Sequence, residues 1–236
     1  FFAAKKKGKT TMNGSQHILA AFHRHNISTV FGYPGGCIMP LYDALVDDVG
    51  VEHVLCRHEQ ACALAADGYA RASGQLGVCI ATSGPGATNL ITGVANAYMD
   101  SIPLLVITGQ VPSGLIGTDA FQETDILGMT LGIVKHSYLV DDPEDLPGIL
   151  EEAIDLAQAG RPGPVWIDIP KDILLSEIEA PAPACTEAPP AHCPEIGPAL
   201  AMLRSARRPL LYSGGGVSLA GAEDRFRTFA EVSGLP

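Results

Sequence analysis

The sequence predicts an α/β fold, a doubly wound parallel sheet, over residues 13–172. Helical and strand patterns alternate along this region, which favours parallel strands joined by right-handed crossovers. Strands such as 104–108 are continuously apolar, as expected when helices cover both faces of a sheet. Glycine-rich turns follow several of the strands, and parallel α/β sheets bind their ligands beyond the carboxyl ends of strands.

The elements of this region follow from their periodicity and from the residues that end them. Apolar residues at helical spacing, such as Ile18, Leu19 and Phe22, indicate helices, and Gly74 is a typical helix stop. Short β-branched or apolar runs indicate strands. The predicted order is a helix at 15–25, a strand at 29–31, a helix at 41–46, a strand at 52–56, a helix at 60–72, a strand at 77–82, a helix ending near 98, strands at 104–108 and 137–140, a helix at 143–159 and a strand at 164–169.

A proline-rich stretch separates this region from a second one. Residues 179–194 read EAPAPACTEAPPAHCP, and proline at this density favours extended backbone without ladder hydrogen bonds. We therefore expect a linker over 173–194. A helix at 196–206, a strand at 209–213 and a helix at 223–232 then predict the beginning of a second α/β domain over 195–236. One βα unit has too few elements to bury a sheet, so we expect a fragment of a longer protein.

Composition excludes several classes of protein. The net charge of −11 argues against a nucleic-acid binder, which needs a basic surface. No apolar run reaches the roughly 18 residues that span a membrane. The six cysteines form no Cys-x-x-Cys pair, which is typical of reduced core residues in an intracellular protein. Residues 1–12 are lysine-rich without a following apolar segment, so we expect a disordered or non-native leader with Met12 as the natural start.

Glu59 is the first candidate for chemistry. It follows the predicted strand at 52–56, in the motif RHEQ at 57–60, and it precedes an almost uncharged helix. A carboxylate at the carboxyl end of a strand suits an active site. The local pattern leaves open a carboxylate that only stabilises the positive end of the helix dipole.

Three glycine-rich turns, at 32–36, 84–86 and 214–216, are equally open to two interpretations. Each is either a tight structural turn or a place where backbone approaches a ligand. None matches the Gly-x-Gly-x-x-Gly pattern or a Walker A loop, which disfavours simple dinucleotide or nucleoside-triphosphate binding.

Eight motifs occur in a fixed order along the chain. They are GYPGG at 32–36, RHEQ at 57–60, AADGYAR at 65–71, TSGPGATN at 82–89, AYMDSIPLLVITGQVP at 97–112, GTDAFQETD at 117–125, VKH at 134–136 and GRPGPVWIDIPKD at 160–172. Together they resemble the acetolactate synthase (acetohydroxyacid synthase) large-subunit family of thiamine-diphosphate-dependent enzymes. The resemblance covers the chain from Asn13 to Pro236.

The resemblance implies a reaction and a catalytic residue. Residues 13–172 would be the pyrimidine-binding domain, and Glu59 matches the glutamate that bonds N1′ of the cofactor's aminopyrimidine. This bond helps the cofactor lose the proton of its thiazolium C2. The activated cofactor decarboxylates pyruvate and transfers a two-carbon unit to a second 2-keto acid, in branched-chain amino-acid biosynthesis.

Other positions match family residues with weaker roles. Lys171 would steer an anionic keto acid, although an ordinary surface lysine remains the alternative. FAD is bound in this family without a redox role in the main reaction. The matched positions are Gly35, Gly36, Pro85 and Asn89 on the thiamine diphosphate side, Phe121, Gln122 and Lys171 along the substrate channel, and Arg161, Gly214, Gly215 and Gly216 for FAD.

The resemblance also implies partner subunits and indicates that this chain lacks part of the active site. The Gly-Asp-Gly…Asn signature that holds Mg²⁺ is absent from this chain, so no metal ligands are assigned and the chain alone is expected to be inactive. The family implies a homodimer or higher homo-oligomer with the active site between subunits, and it allows a regulatory small subunit. We expect a cytoplasmic bacterial protein, with an organelle as the alternative.

Two other functions stay open at this stage. The first is another thiamine-diphosphate enzyme of the pyruvate oxidase, glyoxylate carboligase or oxalyl-CoA decarboxylase type, although Glu59 argues against the carboligase. The second is a non-catalytic assembly module, since a fold can be kept without its chemistry.

Overall fold

The computed structural model describes residues 11–179 and 194–236, which belong to two compact units. In the first unit the strands are β1 (Met12–Asn13), β2 (Thr29–Gly32), β3 (Glu52–Leu55), β4 (Gly77–Ala81), β5 (Leu104–Gln110), β6 (His136–Leu139), β7 (Pro164–Pro170) and β8 (Glu177–Ile178). Its helices are α1 (Gly14–Arg24), α2 (Met39–Val46), α3 (Glu59–Ser73), α4 (Pro85–Asp100), α5 (Ile126–Thr130), α6 (Leu146–Gln158) and α7 (Lys171–Leu175), with 3₁₀ turns at Ser113–Leu115 and Pro143–Asp145.

A six-stranded, fully parallel sheet forms the centre of this unit, in the order β3-β2-β4-β5-β7-β6. The chain leaves β2 for β3 on one side and then returns past β2 to β4 on the other. Strand order therefore reverses between β2 and β4. The predicted α/β class with a parallel sheet is confirmed.

Hydrophobic residues cover both faces of the sheet. Leu105 and Ile107 of β5 belong to one core cluster, which includes residues of α1 and α6. Their neighbours Leu104 and Val106 belong to a second cluster, with residues of α3 and α4. Because successive side chains of a strand point to opposite faces, a strand buried on both faces must be apolar throughout.

Small residues let α3 and α4 pack closely on that second face. A Cβ atom at Gly93 of α4 would lie only 2.5 Å from the Cβ of Ala63 in α3. The alanine-rich sequence of α3 thus brings two helices together. Both helices begin at the carboxyl edge of the sheet.

The first unit extends beyond the predicted boundary at 172. Strands β1 and β8 pair antiparallel, with Met12 opposite Ile178. Ile173, Leu174 and Ile178 are buried in the core. Residues 173–178 therefore belong to the folded unit and not to the linker, because their apolar side chains pack against it. The rest of that predicted linker, at 180–193, and the leader at 1–10 lie outside the described residues.

The second unit, where it is described, contains three helices: α8 (Gly197–Ser205), α9 (Gly216–Leu219) and α10 (Glu223–Ser233). The strand predicted at 209–213 is wrong, since residues 209–214 take no regular structure. A strand requires a neighbour for its ladder of hydrogen bonds, and no strand is present among residues 194–236. The Leu211 N–H instead donates to the Pro236 carbonyl across 2.8 Å. Among the described residues of both units, no helix is long and apolar enough to cross a membrane.

Candidate functional site

Three loops meet where the strand order reverses. They follow the carboxyl ends of β2, β3 and β4, and they contain the GYPGG turn, Glu59 and the TSGPG turn respectively. Parallel strands place these ends on one edge of the sheet. In open α/β sheets, ligands bind in the crevice at such a reversal.

The GYPGG turn lies directly against the loop after β4. A Cβ atom at Gly35 would come within 2.5 Å of the Thr82 Cβ, so only glycine allows this approach. The Cys37 N–H donates to Thr82 Oγ1 across 3.1 Å, and Ser83 Oγ donates to Cys37 Sγ across 3.2 Å. The close contact with Thr82 therefore explains why residue 35 is a glycine. Gly36 has no close contact of this kind, because a Cβ there would meet no atom within 4 Å.

Glu59 is the first residue of α3, and the end of β3 places it beside these loops. The preceding residue, His58, caps the helix by accepting the Gln60 N–H at its Nδ1 atom across 3.2 Å. The Glu59 residue is only 8% exposed. Its position just past a strand, at the carboxyl edge of the sheet, agrees with the position that the sequence predicts.

One oxygen of the Glu59 carboxylate is held and the other is available. Asn89 Nδ2, one turn into α4, donates to Glu59 Oε2 across 2.9 Å. Glu59 Oε1 faces Gly86, whose added Cβ would lie 3.4 Å away, and it accepts no hydrogen bond from any residue that the structure describes. Burying a carboxylate is costly unless its oxygens find partners. A ligand N–H at Oε1 would give both carboxylate oxygens a hydrogen-bond partner. This favours a chemical role for Glu59 over helix capping alone.

The structure brings other predicted residues to this edge. Pro85 is the exposed first residue of α4, and Lys171 begins α7 directly after β7. Gln122 has a left-handed backbone, and its carbonyl oxygen would lie 2.6 Å from a Cβ on Gly84. Phe121, beside it, is 88% exposed. Gln122 therefore lies beside the glycine turn after β4, while Pro85 and Lys171 follow the carboxyl ends of β4 and β7.

The predicted flavin residues belong to two different units. Arg161 precedes β7, at the amino edge of the sheet, and its Nε donates to Ser101 Oγ across 2.6 Å. Gly214, Gly215 and Gly216 are exposed in the second unit, and an added Cβ at any of them would meet nothing within 4 Å. Arg161 is thus not part of the crevice that contains Glu59.

Thr82 is a residue of the crevice that the sequence reasoning missed. It lies inside the TSGPG motif, directly before the glycine turn. Its side chain contacts Gly35 and accepts the Cys37 N–H. The motif itself is the signal that could have identified it, since a hydroxyl beside a glycine turn often supplies a hydrogen bond to backbone.

No magnesium site is evident in the described part of the chain. Residues 11–179 and 194–236 contain no group of three or more His, Cys, Asp or Glu side chains that could hold a metal ion. Mg²⁺ needs several oxygen ligands in octahedral geometry. The described residues therefore offer no cluster of side chains to which this ion can be assigned.

A buried carboxylate between glycine turns, at the reversal of a parallel sheet, defines a ligand-binding domain of the doubly wound α/β class. Residues 12–129, half of the 236 in the chain, match the family described as thiamine pyrophosphate enzyme, N-terminal TPP binding domain. The chain belongs to this family.

Curated relatives agree with this assignment. The acetolactate synthase isozyme 2 large subunit of Escherichia coli (strain K12) is 55% identical over 227 residues, which are 95% of this chain and 41% of the relative. The acetolactate synthase large subunit of Parasynechococcus marenigrum (strain WH8102) is 53% identical over 237 residues, 96% of this chain and 38% of the relative. The probable acetolactate synthase large subunit of Methanocaldococcus jannaschii is 46% identical over 234 residues, 95% and 39% of the two chains. The chain thus spans about two fifths of the length of these relatives.

Proposed function

We propose that this chain is the cofactor-activating part of an acetolactate synthase large subunit. The complete enzyme would decarboxylate pyruvate on thiamine diphosphate and transfer the two-carbon unit to a second 2-keto acid. One observation carries the proposal: the buried Glu59 carboxylate, with Oε2 held by Asn89 and Oε1 available at the crevice. The identity of 46–55% to large subunits over nearly the whole chain supports it.

The residues of the crevice fit the aminopyrimidine of thiamine diphosphate. An aminopyrimidine needs a carboxyl group that can share a proton with a ring nitrogen, and Glu59 Oε1 is available for this bond. When bound, thiamine diphosphate supplies an acidic ring carbon that adds to a keto group and stores the electron pair left by carbon dioxide. Glu59 holds or releases the shared proton, while Asn89 keeps the carboxylate in one orientation.

Other residues would receive the rest of the cofactor and the substrates. Gly36 and Pro85 are exposed beside the crevice and offer surface to the thiamine ring system. Phe121, Gln122 and Lys171 would line the path of the keto acids, with Lys171 attracting their carboxylates.

No cluster of metal-binding side chains for the Mg²⁺ and diphosphate end of the cofactor occurs among the described residues. We assign that end to a part of the longer relatives that this chain does not span, contributed across a homodimer interface. An active site between two subunits agrees with a location of Glu59 at the carboxyl edge of the sheet.

We extend the proposal to FAD, for which the residues of each unit are considered separately. The turn at Gly214, Gly215 and Gly216 offers open space to a ligand along its backbone. The Arg161 guanidinium is exposed and supplies a positive charge suited to a phosphate.

A bacterial cytoplasmic location accords with the bacterial relatives.

The test is product analysis with the full-length protein that contains this chain. Incubation with pyruvate, thiamine diphosphate and Mg²⁺ is expected to yield acetolactate and carbon dioxide. A parallel reaction without thiamine diphosphate is the control. Formation of acetyl phosphate or acetate in place of acetolactate would instead assign the protein to the pyruvate oxidase type.

A further inference from the structure

The loop at 117–124, which carries Phe121 and Gln122, has a strained backbone. Asp119 and Gln122 have φ angles of 56° and 62°, and Gly117 has a φ of 81°, which glycine adopts freely. Residues with a Cβ rarely adopt this left-handed region, and they keep it only when the surrounding structure imposes it. Interactions with the rest of the structure must therefore hold the loop backbone in this conformation.

Glu123 supplies the first anchor from within the loop. Its carboxylate accepts hydrogen bonds from three backbone N–H groups, those of Gly117, of Thr118 at 3.2 Å and of Ala120 at 3.0 Å. These bonds, led by the one from Gly117, hold the pKa of Glu123 below its ordinary value. A carboxylate bonded to several N–H groups draws the loop into a compact turn around itself.

Gln110, the last residue of β5, supplies the second anchor. Its Nε2 donates both to the Thr124 carbonyl at 3.0 Å and to Asp168 Oδ2 at 2.8 Å. Asp168 is 1% exposed in β7, and its Oδ1 accepts a hydrogen bond from Thr108 Oγ1 at 2.6 Å. The end of the loop is thus tied to two central strands of the sheet.

The two anchors place the loop against the crevice. The Gln122 backbone lies so close to Gly84 that a Cβ there would be 2.6 Å from the Gln122 oxygen and 2.9 Å from its Cα. Gly84 directly precedes α4, the helix whose Asn89 holds Glu59. Phe121 is exposed and cannot hold the loop by burial.

We propose that Glu123 is a positioning residue, which sets Phe121 and Gln122 at the mouth of the crevice through its bonds to the loop backbone. The Gln110–Asp168 pair is the second anchor of the same loop. Glu123 does not touch the reacting atoms. This inference rests on the proposed function for its consequence, since it assigns Phe121 and Gln122 to the path of the 2-keto acid.

Hydrogen–deuterium exchange on the 236-residue chain tests the anchor itself. Exchange in peptides covering 116–124 is expected to rise about tenfold in Glu123→Ala and less in Glu123→Gln, which keeps one acceptor oxygen. Glu52→Gln is the matched control, because the exposed Glu52 side chain makes no hydrogen bond or ion pair with the residues that the structure describes. Peptides from β5 and β7 should be unchanged in all variants. Equal loop exchange in the wild type and Glu123→Ala would overturn the proposal.

Steady-state kinetics of the full-length protein tests the consequence. Glu123→Ala is expected to raise the KM for pyruvate several-fold, with a smaller change in kcat, because the path and not the proton transfer is altered. Faster exchange with unchanged KM and kcat would overturn the positioning role. If the wild type forms no acetolactate, the proposed function fails, and the exchange result alone still decides whether Glu123 anchors the loop.

Discussion

Asn89 Nδ2 lies 2.9 Å from Glu59 Oε2, so a side chain of α4 fixes the carboxylate that begins α3. Because this bond engages one oxygen only, the geometry defines which oxygen faces a ligand. The two helices also pack closely at Ala63 and Gly93. This core contact between small residues joins the two helices that carry Glu59 and Asn89.

Glu59→Gln in the full-length protein should lower kcat by about 10²–10⁴-fold, the usual contribution of a positioned acid–base group. The amide keeps the size of the side chain but cannot exchange a proton with the cofactor. Acetolactate formation from pyruvate measures the loss, and an unchanged thermal unfolding midpoint confirms the fold. Wild-type turnover in this variant would remove Glu59 from the mechanism.

Gly35→Ala should reduce the free energy of unfolding by about 1–3 kcal/mol, because its Cβ would overlap the Thr82 side chain. Urea unfolding of the 236-residue chain measures the change. Gly36→Ala is the matched control, where nothing lies within 4 Å of the new atom and the expected change is below about 0.5 kcal/mol. Equal stability of the two variants would show that the turn yields without cost.

Asp168 should make the stability of the first unit depend on pH. Burial raises its pKa to about 7 from an ordinary 3.8, while hydrogen bonds from Thr108 and Gln110 act in the opposite direction. Between these values the folded state holds a proton that the unfolded state has lost. This contribution to stability is therefore complete below about pH 4 and is lost as the pH rises to 7, by up to about 1.4 kcal/mol per pH unit.

Urea unfolding of the wild type and Asp168→Asn between pH 5 and pH 8 checks this prediction. The variant cannot titrate at this position, so the stability advantage of the wild type should shrink as the pH rises. The asparagine amide has a single oxygen, so it cannot accept hydrogen bonds from both Gln110 Nε2 and Thr108 Oγ1 as the carboxyl group does, which should weaken the variant at every pH. Parallel stability curves for the two proteins would contradict the raised pKa.

The 236-residue chain by itself should bind thiamine diphosphate weakly or not at all. Its described residues offer a partner for the aminopyrimidine end of the proposed cofactor, and they contain no cluster of three or more metal-binding side chains. Isothermal titration with thiamine diphosphate and Mg²⁺ measures this, with the full-length protein as the positive control. Micromolar affinity accompanied by acetolactate formation would show that the chain contains a complete site.

The sequence predicts the sheet well because local signals suffice for it. The apolar run at 104–108 and the glycine after residue 73 identify a strand and a helix end without reference to the rest of the fold. The prediction of a strand at 209–213 is wrong because an apolar pattern does not reveal whether a pairing partner is present. Strand formation depends on residues distant in sequence.

The candidate site also has some features that local sequence predicts and others that it does not. Glu59 at the end of a strand is predictable, since chain order and parallel pairing determine its edge of the sheet. Its bond to Asn89 and the contact of Thr82 with Gly35 are not predictable, because they join residues 30 and 47 positions apart. The three bonds to Glu123 also depend on a loop backbone that no periodicity describes.

The short antiparallel pairing of β1 with β8 brings the two ends of the first unit together. Met12 and Ile178 are Cα partners in this antiparallel pair, so they lie only about 5 Å apart. A unit with adjacent ends tolerates circular permutation, because a few residues can join the old ends without strain. A permutant that starts at Asp141, in the exposed connection after β6, would keep the crevice around Glu59. It would also move the attachment point of any further domain to another corner of the sheet.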